Sequence, residues 1–260
     1  MSRYYFVLCA LPPLYLERKP QISYFEMQLL LQLNLSLKDA SLVFSFRQFI
    51  DFKNLRCLWL KRPFHLGGNL SEKEMTEAII RQEVFPEYVF SFLKTHEDIP
   101  YRLKDFPYLL SQFFKNAMTS NNQFLRRYFT WERDLALILT ALRAKQRKRN
   151  LASEILYEDP DDFFVGSLLS QKDDKDVLGV PEEFQGVKAL FLQHGSDPKA
   201  LFRAYMEYRL EQMENLAGNE FFTINHLMAY LAKYQVVLEW NESNIEEGKQ
   251  IVDSLVRGKI

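Results

Sequence analysis

The sequence is short of cysteine, glycine, histidine and net charge, and each shortage excludes something. Two cysteines in 260 residues, Cys9 and Cys57, stand in apolar surroundings without any paired spacing. That excludes a disulfide scaffold, and both read as small buried hydrophobes in a reducing compartment. Nine glycines leave little room for phosphate-cradling loops, and Gly67-Gly68 is followed by Asn69-Leu70-Ser71 where a nucleotide loop needs Lys and Ser or Thr. His65, His96, His194 and His226 are isolated from one another, so no metal ligand set is legible. No Gly-x-Ser-x-Gly elbow occurs. Pro160 interrupts Asp159, Asp161 and Asp162, which lack the turn glycine and closing glutamate of a calcium loop and read as a solvated acidic loop. With 33 basic and 34 acidic residues the net charge is -1, so no global field steers the chain toward nucleic acid or an anionic membrane.

Long apolar runs are missing too. A membrane helix needs about 18 consecutive apolar residues, and none is found, so no transmembrane segment is predicted. Tyr4–Leu14 is apolar, but only Arg3 precedes it and Pro12-Pro13 ends it without a small-residue cleavage site, so it does not read as a signal peptide. Tyr4, Tyr5, Phe6 and Val7 instead suggest a short extended segment docked on the body. No catalytic residues, cofactor, metal or small-molecule substrate is predicted.

What is abundant favours helix. The chain is 47% hydrophobic with 22 Phe and 13 Tyr, enough for a core of rings packed between helices. Ser23 with Glu26, and Ser71 with Glu74, have capping-box spacing, and Ser36 suits the start of a helix carrying Leu42, Phe46, Phe49 and Ile50. Pro86, Pro100 and Pro107 divide the following stretch into short helices with aromatic faces. Phe124 to Asn150 lacks Gly and Pro and reads as the longest helix, with Trp131, Leu135, Ile138 and Leu142 as its apolar stripe. Asp197-Pro198 opens another helix, Gly218 closes it, and helices over Ile224–Trp240 and about 244–256 follow, the last with Ile245, Ile251, Val252 and Leu255 inward. The expected fold is all-α: an elongated multi-helix body of related units with a short N-terminal extended segment. Residues 1–157 read as N-terminal helical units, 158–182 as an acidic linker or hinge containing the runs 158–162 and 172–176, and 183–260 as a C-terminal helical unit.

The densest charge feature is Arg143, Lys145, Arg147, Lys148 and Arg149 at the end of the long helix. The helix dipole favours one or two cations there by a few tenths of a kcal/mol each. Five in seven positions exceed that need, so these residues are the candidate partner-binding patch, for an acidic protein surface or, alternatively, for RNA. There is also an internal echo: Asp51 ahead of Asn54, Leu55 and Arg56 resembles Asp134 ahead of Leu142 and Arg143.

Several segments together carry a family resemblance. They are Tyr4-Tyr5-Phe6 with Leu11-Pro12-Pro13-Leu14, Asp51-x-x-Asn54-Leu55-Arg56, Leu142-Arg143-Ala144-Lys145, Asp159-Pro160, and Tyr230-Leu231-x-Lys233 with Trp240. They resemble a bacterial family of uncharacterised proteins encoded beside V-type ATP synthase subunits. That family is similar in turn to the C/d subunit of V/A-type ATPases, a helical funnel of three related units. Asp51, Asn54, Leu55 and Arg56 match the first unit, Asp134 with Leu142 and Arg143 the second, and Leu227, Tyr230, Leu231 and Lys233 the third. The second copy lacks the Asn and the chain is shorter than a typical member of that funnel family, so the resemblance implies a truncated version. It implies a non-catalytic component at the cytoplasmic face of the membrane, joining central-stalk subunits to the proteolipid ring. A transient assembly factor or regulator of that ATPase is the alternative in the same setting.

Overall fold

The computed structural model describes residues 4–171 and 178–256, with side chains described through residue 243. The acidic run 172–176 and the side chains of Ile245, Ile251, Val252 and Leu255 lie outside the described residues. Every helix and strand assignment among the described residues is helical, and none of these helices is long and apolar enough to cross a membrane.

The N-terminal segment departs from expectation. Tyr5–Ala10 forms helix α1, not an extended strand. A strand leaves its N–H and C=O groups dependent on a neighbouring strand. Here they are met locally: Tyr4 C=O accepts from Leu8 N–H at 3.0 Å and Val7 C=O from Leu11 N–H at 3.1 Å. The Tyr4 hydroxyl anchors this helix by donating to the Asp39 carboxylate.

The start signals read from the sequence set the next boundaries. Ser23 and Ser71 both form complete capping boxes, opening α2 (Tyr24–Asn34) and, after α3 (Leu37–Leu60), α4 (Glu72–Arg81). Ser36 Oγ accepts the Asp39 N–H at 3.2 Å at the head of α3. Pro86, Pro100 and Pro107 stand in the opening positions of α5 (Glu87–Thr95), α6 (Ile99–Lys104) and α7 (Phe106–Ala117), where a missing N–H breaks no intrahelical bond. Then come α8 (Gln123–Gln146), α9 (Leu151–Glu154), α10 (Phe163–Leu169), a 3-10 turn at Glu182–Phe184, α11 (Gln185–His194) and α12 (Pro198–Ala217). Asp197 Oδ1 caps α12 through Lys199 and Ala200 N–H, and Gly218 follows at φ +86°. The final helix, α13, runs unbroken over Ile224–Val256, so the two helices expected there are one. At 33 residues it is longer than α8, which has 24.

The described helices fall into two compact units whose limits differ from the partition at 158–182. One comprises Met1–Ile50, His65–Asn69 and Phe202–Ile260; the other comprises Asp51–Phe64 and Leu70–Leu201. Compactness follows apolar burial, and in the first unit the two ends of the chain bury against each other. The Tyr230 hydroxyl donates to Pro12 C=O at 2.9 Å and the Tyr234 hydroxyl to Ile22 C=O at 3.0 Å. Leu16, Met206, Val236 and Trp240 form a buried cluster there, with Phe202 stacked on Trp240 at 5.7 Å. Arg47 Nε donates to Gly67 C=O at 2.9 Å, and the same guanidinium reaches Gly68 C=O and the Tyr24 hydroxyl. Gly67 has φ +104°, a backbone state that side-chain-bearing residues avoid.

The second unit carries the aromatic core that composition suggested. Phe52 of α3 meets Phe85, Tyr88 and Phe113 at centroid distances of 5.8, 6.1 and 4.9 Å, and Phe113 meets Phe129 of α8 edge-on at 5.1 Å. Trp59 lies against Phe92 and Phe106. Tilted and edge-on contacts of this kind add to area burial because ring quadrupoles disfavour direct overlap. The cysteines divide: Cys57 is buried as expected, whereas Cys9 is exposed, because α1 turns it away from the buried Val7 side.

Candidate functional site

Helix α8 belongs wholly to the second unit and carries two charged features of different character. It begins at Asn122, whose side chain accepts the Leu125 N–H at 2.9 Å. Its apolar contacts with α9 and α10 come from Leu137, which joins Ile155, Val165 and Leu168 in a buried cluster. Against that floor sit Arg133 and Asp134, each only 7% exposed.

Arg133 is saturated with carboxylates. Its Nε donates to Glu158 Oε2 at 3.1 Å, its two terminal nitrogens reach Asp162 at 3.2 and 3.3 Å, and Nη1 is 3.4 Å from Asp134 Oδ1. A planar guanidinium can serve such a set at once because its donors project as a rigid fork. Asp162 Oδ1 also accepts the Phe164 and Val165 N–H groups at 3.0 and 3.1 Å, capping α10. The segment expected to be a solvated acidic linker is therefore docked on α8 through Glu158 and Asp162. Asp159 and Asp161 remain exposed.

Asp134 and Asp162 respond in opposite senses to this setting. Burial pushes the Asp134 carboxyl up to about 7; Arg133 pulls it down, and the nearby Asp162, Glu183 and Glu158 push it further up. Desolvation also acts upward on Asp162, but the Val165 N–H and the Arg133 guanidinium outweigh it and hold that carboxyl below its ordinary range. Arg133 is raised: burial acts against its charge, and Asp162 and Glu158 overcome it. Among the described residues no group of His, Cys, Asp and Glu is placed to hold a metal ion. In this cluster the cationic position is filled by the guanidinium. What the arrangement does is hold residues 155–165 to α8, with one buried carboxyl whose pKa is pushed up to about 7.

The second feature is the C-terminal end of α8. The helix stops at Gln146, four residues before the expected Asn150, because Lys148 adopts φ +53°. Lys148 N–H bonds Lys145 C=O at 3.0 Å and Arg149 N–H bonds Ala144 C=O at 2.8 Å, the wrapping pattern that satisfies last-turn carbonyls. Glycine is the usual residue at this left-handed position; here a lysine takes it. The turn places Arg143, Arg147, Lys148 and Arg149 in solvent, with Lys145 half-buried. Arg149 pairs with Glu154 at 3.3 Å, an exposed contact of small energetic weight. The candidate patch is thus exposed, but it is a helix end plus a turn, not one helical face.

The repeat positions are found in separate environments. Asp51, Asn54 and Leu55 are buried in α3, and Asp51 Oδ1 accepts the Leu70 N–H at 3.1 Å. Arg56 is exposed, with its guanidinium 5.9 Å from the Phe106 ring centroid. Asp134 and Leu142 are buried in α8. Tyr230 and Lys233 belong to α13 in the other unit, where Lys233 pairs with Glu214 and lowers that carboxyl's pKa. Sequence reasoning missed Arg133, Glu158 and Asp162. One hint was available: Asp134 stands three residues after Trp131 and four before Ile138, a spacing that puts a carboxylate on the apolar stripe.

The relatives carry no activity in their descriptions. An uncharacterised protein of Chlamydia pneumoniae is 27% identical over 98% of each chain. Uncharacterised proteins of Chlamydia muridarum and Chlamydia trachomatis are each 23% identical over 99% of each chain. No solved structure matches the chain. A family model described as protein of unknown function (DUF2764) matches residues 1–259, and the chain belongs to that family.

Proposed function

We propose that this protein is a non-enzymatic adaptor, a counterpart of the C/d subunit in a bacterial V-type ATPase, which couples the central stalk to the membrane proteolipid ring. The reading rests on the resemblance carried by the Asp51 and Asp134 segments. One observation supports it: both aspartates are buried within helices of equal length, 24 residues each, one in α3 and one in α8. Paired long helices with matching inward acids are what duplicated units of a helical coupler would retain. Stiff aromatic packing in the second unit suits a part that transmits force. Arg143, Lys145, Arg147, Lys148 and Arg149 are the proposed contact for an acidic stalk surface, and the protein would act peripherally at the cytoplasmic face. Tagged protein should bring down stalk and ring components in mild detergent. Recovery of neither sinks the proposal.

The exposed cations in the 147–149 turn give a second reading some footing, that of an RNA-binding protein. Its test is the salt slope of RNA affinity, which steepens with each phosphate contacted. A transient assembly factor would instead co-purify at well below one copy per ATPase.

A further inference from the structure

Arg133 faces more carboxyl groups than one positive charge can balance. Glu158 takes its Nε at 3.1 Å, and Asp162 takes both terminal nitrogens at 3.2 and 3.3 Å. Asp134 Oδ1 has only Nη1, at 3.4 Å, and shares it with Asp162. Asp162 is held besides by the Phe164 and Val165 N–H groups. A buried excess of negative charge is relieved when one carboxyl keeps its proton. These contacts make Asp134 the least supported of the three as an anion, and its raised pKa agrees.

Losing that proton has a directional consequence. Arg133 and Asp134 are consecutive residues of α8 and cannot part without unwinding it. Glu158 and Asp162 belong instead to the docked segment 155–165, and Glu183, which also pushes on Asp134, to the 3-10 turn. On the other helices packed against α8, Glu154 of α9 pairs with Arg149, and Lys115 of α7 is exposed. The part that can yield is therefore the segment. Once it leaves, ionised Asp134 and Arg133 remain together as a neutral pair. Ile155 and Val165, buried with Leu137, oppose release. So does Tyr157, whose hydroxyl donates to Asp105 at 2.6 Å and whose C=O accepts from Ser111 at 3.0 Å. The docked form thus predominates, and the proton sets how often it opens.

We propose that Asp134 is a proton-controlled latch: its protonated carboxyl keeps residues 155–165 docked on α8, and loss of that proton promotes their local release. The docked carboxyl, raised to about 7, holds a proton that the released form gives up. Docking is therefore firmest at and below the ordinary carboxylate range, weakens as pH rises to about 7, and levels off above.

Hydrogen–deuterium exchange on the full chain, corrected for the intrinsic pH dependence of amide exchange, reads this opening. Between pH 5 and pH 8, protection across residues 155–165 should fall at least about tenfold, while amides in the middle of α8 keep theirs. Asp134→Asn cannot ionise and should hold the segment's protection constant over the same range. His96, 3.0 Å from Asp105, and the Tyr157 contact are common to both proteins and cancel from the comparison. Glu183 is exposed, so Glu183→Gln should fold as the wild type does. With one repelling carboxylate gone, its loss of protection should be smaller and end at a lower pH. Equal wild-type protection at pH 5 and pH 8 overturns the proposal. So does a pH-dependent loss that Asp134→Asn retains, a Glu183→Gln curve that superimposes on the wild type's, or an α8 that opens as much as the segment.

Discussion

Replacing Asp134 with asparagine should change how stability depends on pH. In the folded chain burial and neighbouring carboxylates raise the Asp134 carboxyl from an ordinary 3.8 to about 7. Between those values the folded protein holds a proton that the unfolded chain has released. Raising the pH through that window therefore favours unfolding, by about 1.4 kcal/mol per pH unit. Three units give an upper figure of about 4 kcal/mol, and relaxation with water penetration around a buried charge should cut it to about 2 kcal/mol. Above about pH 8 this contribution is flat. An asparagine at this position would be neutral throughout, and its Oδ1 can still accept from Arg133. Asp134→Asn should therefore be only slightly the more stable at pH 5, where the wild type has lost just the first part of this contribution, and the more stable by about 2 kcal/mol at pH 8. Asp162 acts in the opposite sense: its lowered pKa gives stability present above the ordinary carboxylate range and lost as pH falls through the folded value. Measuring above pH 5 keeps that contribution common to both proteins. Urea titrations followed by circular dichroism at half-unit pH steps would decide the matter. Parallel profiles, or an asparagine variant that loses stability at pH 8, would refute the reasoning.

Other outcomes follow from individual contacts. Arg133→Met leaves Glu158 and Asp162 without their cation and should cost about 3–5 kcal/mol in urea unfolding, with faster proteolysis within residues 155–165. Lys148→Gly relieves a left-handed lysine at φ +53° and should raise stability by about 1 kcal/mol, seen as a higher melting temperature. Tyr157→Phe removes the hydroxyl that donates to Asp105 at 2.6 Å and does most to hold that carboxyl low, so Asp105 should titrate higher by carbon-13 NMR. Reversing Arg143, Arg147 and Lys148 to glutamate should weaken recovery of the proposed ATPase partners, and the deficit should shrink as salt is raised. Equal recovery at every salt concentration would remove the patch from the proposed interface.

Local chemistry wrote the helix boundaries into the sequence. A serine three residues before a glutamate satisfies two orphan N–H groups whatever the rest of the chain does, so Ser23 and Ser71 could be read directly. Prolines at 86, 100 and 107 mark helix starts for an equally local reason, and the aromatic load foretold a ring-packed core. Three things were not local. Whether Tyr4–Val7 becomes strand or helix depends on a pairing edge and on Asp39, 35 residues away. Segments from both halves of the chain meet through Tyr230 and Pro12, separated by 218 residues, a proximity that no linear reading of the sequence reveals. The acidic stretch at 158–162 looks solvated in sequence because nothing nearby neutralises it. Only the packing of α10 on α8 brings Glu158 and Asp162, 25 and 29 residues distant, onto Arg133. Helix-forming tendencies and caps act within a turn or two and can be read from the chain alone. The burial of charge depends on which surfaces meet, and in this protein the tertiary structure alone decided that.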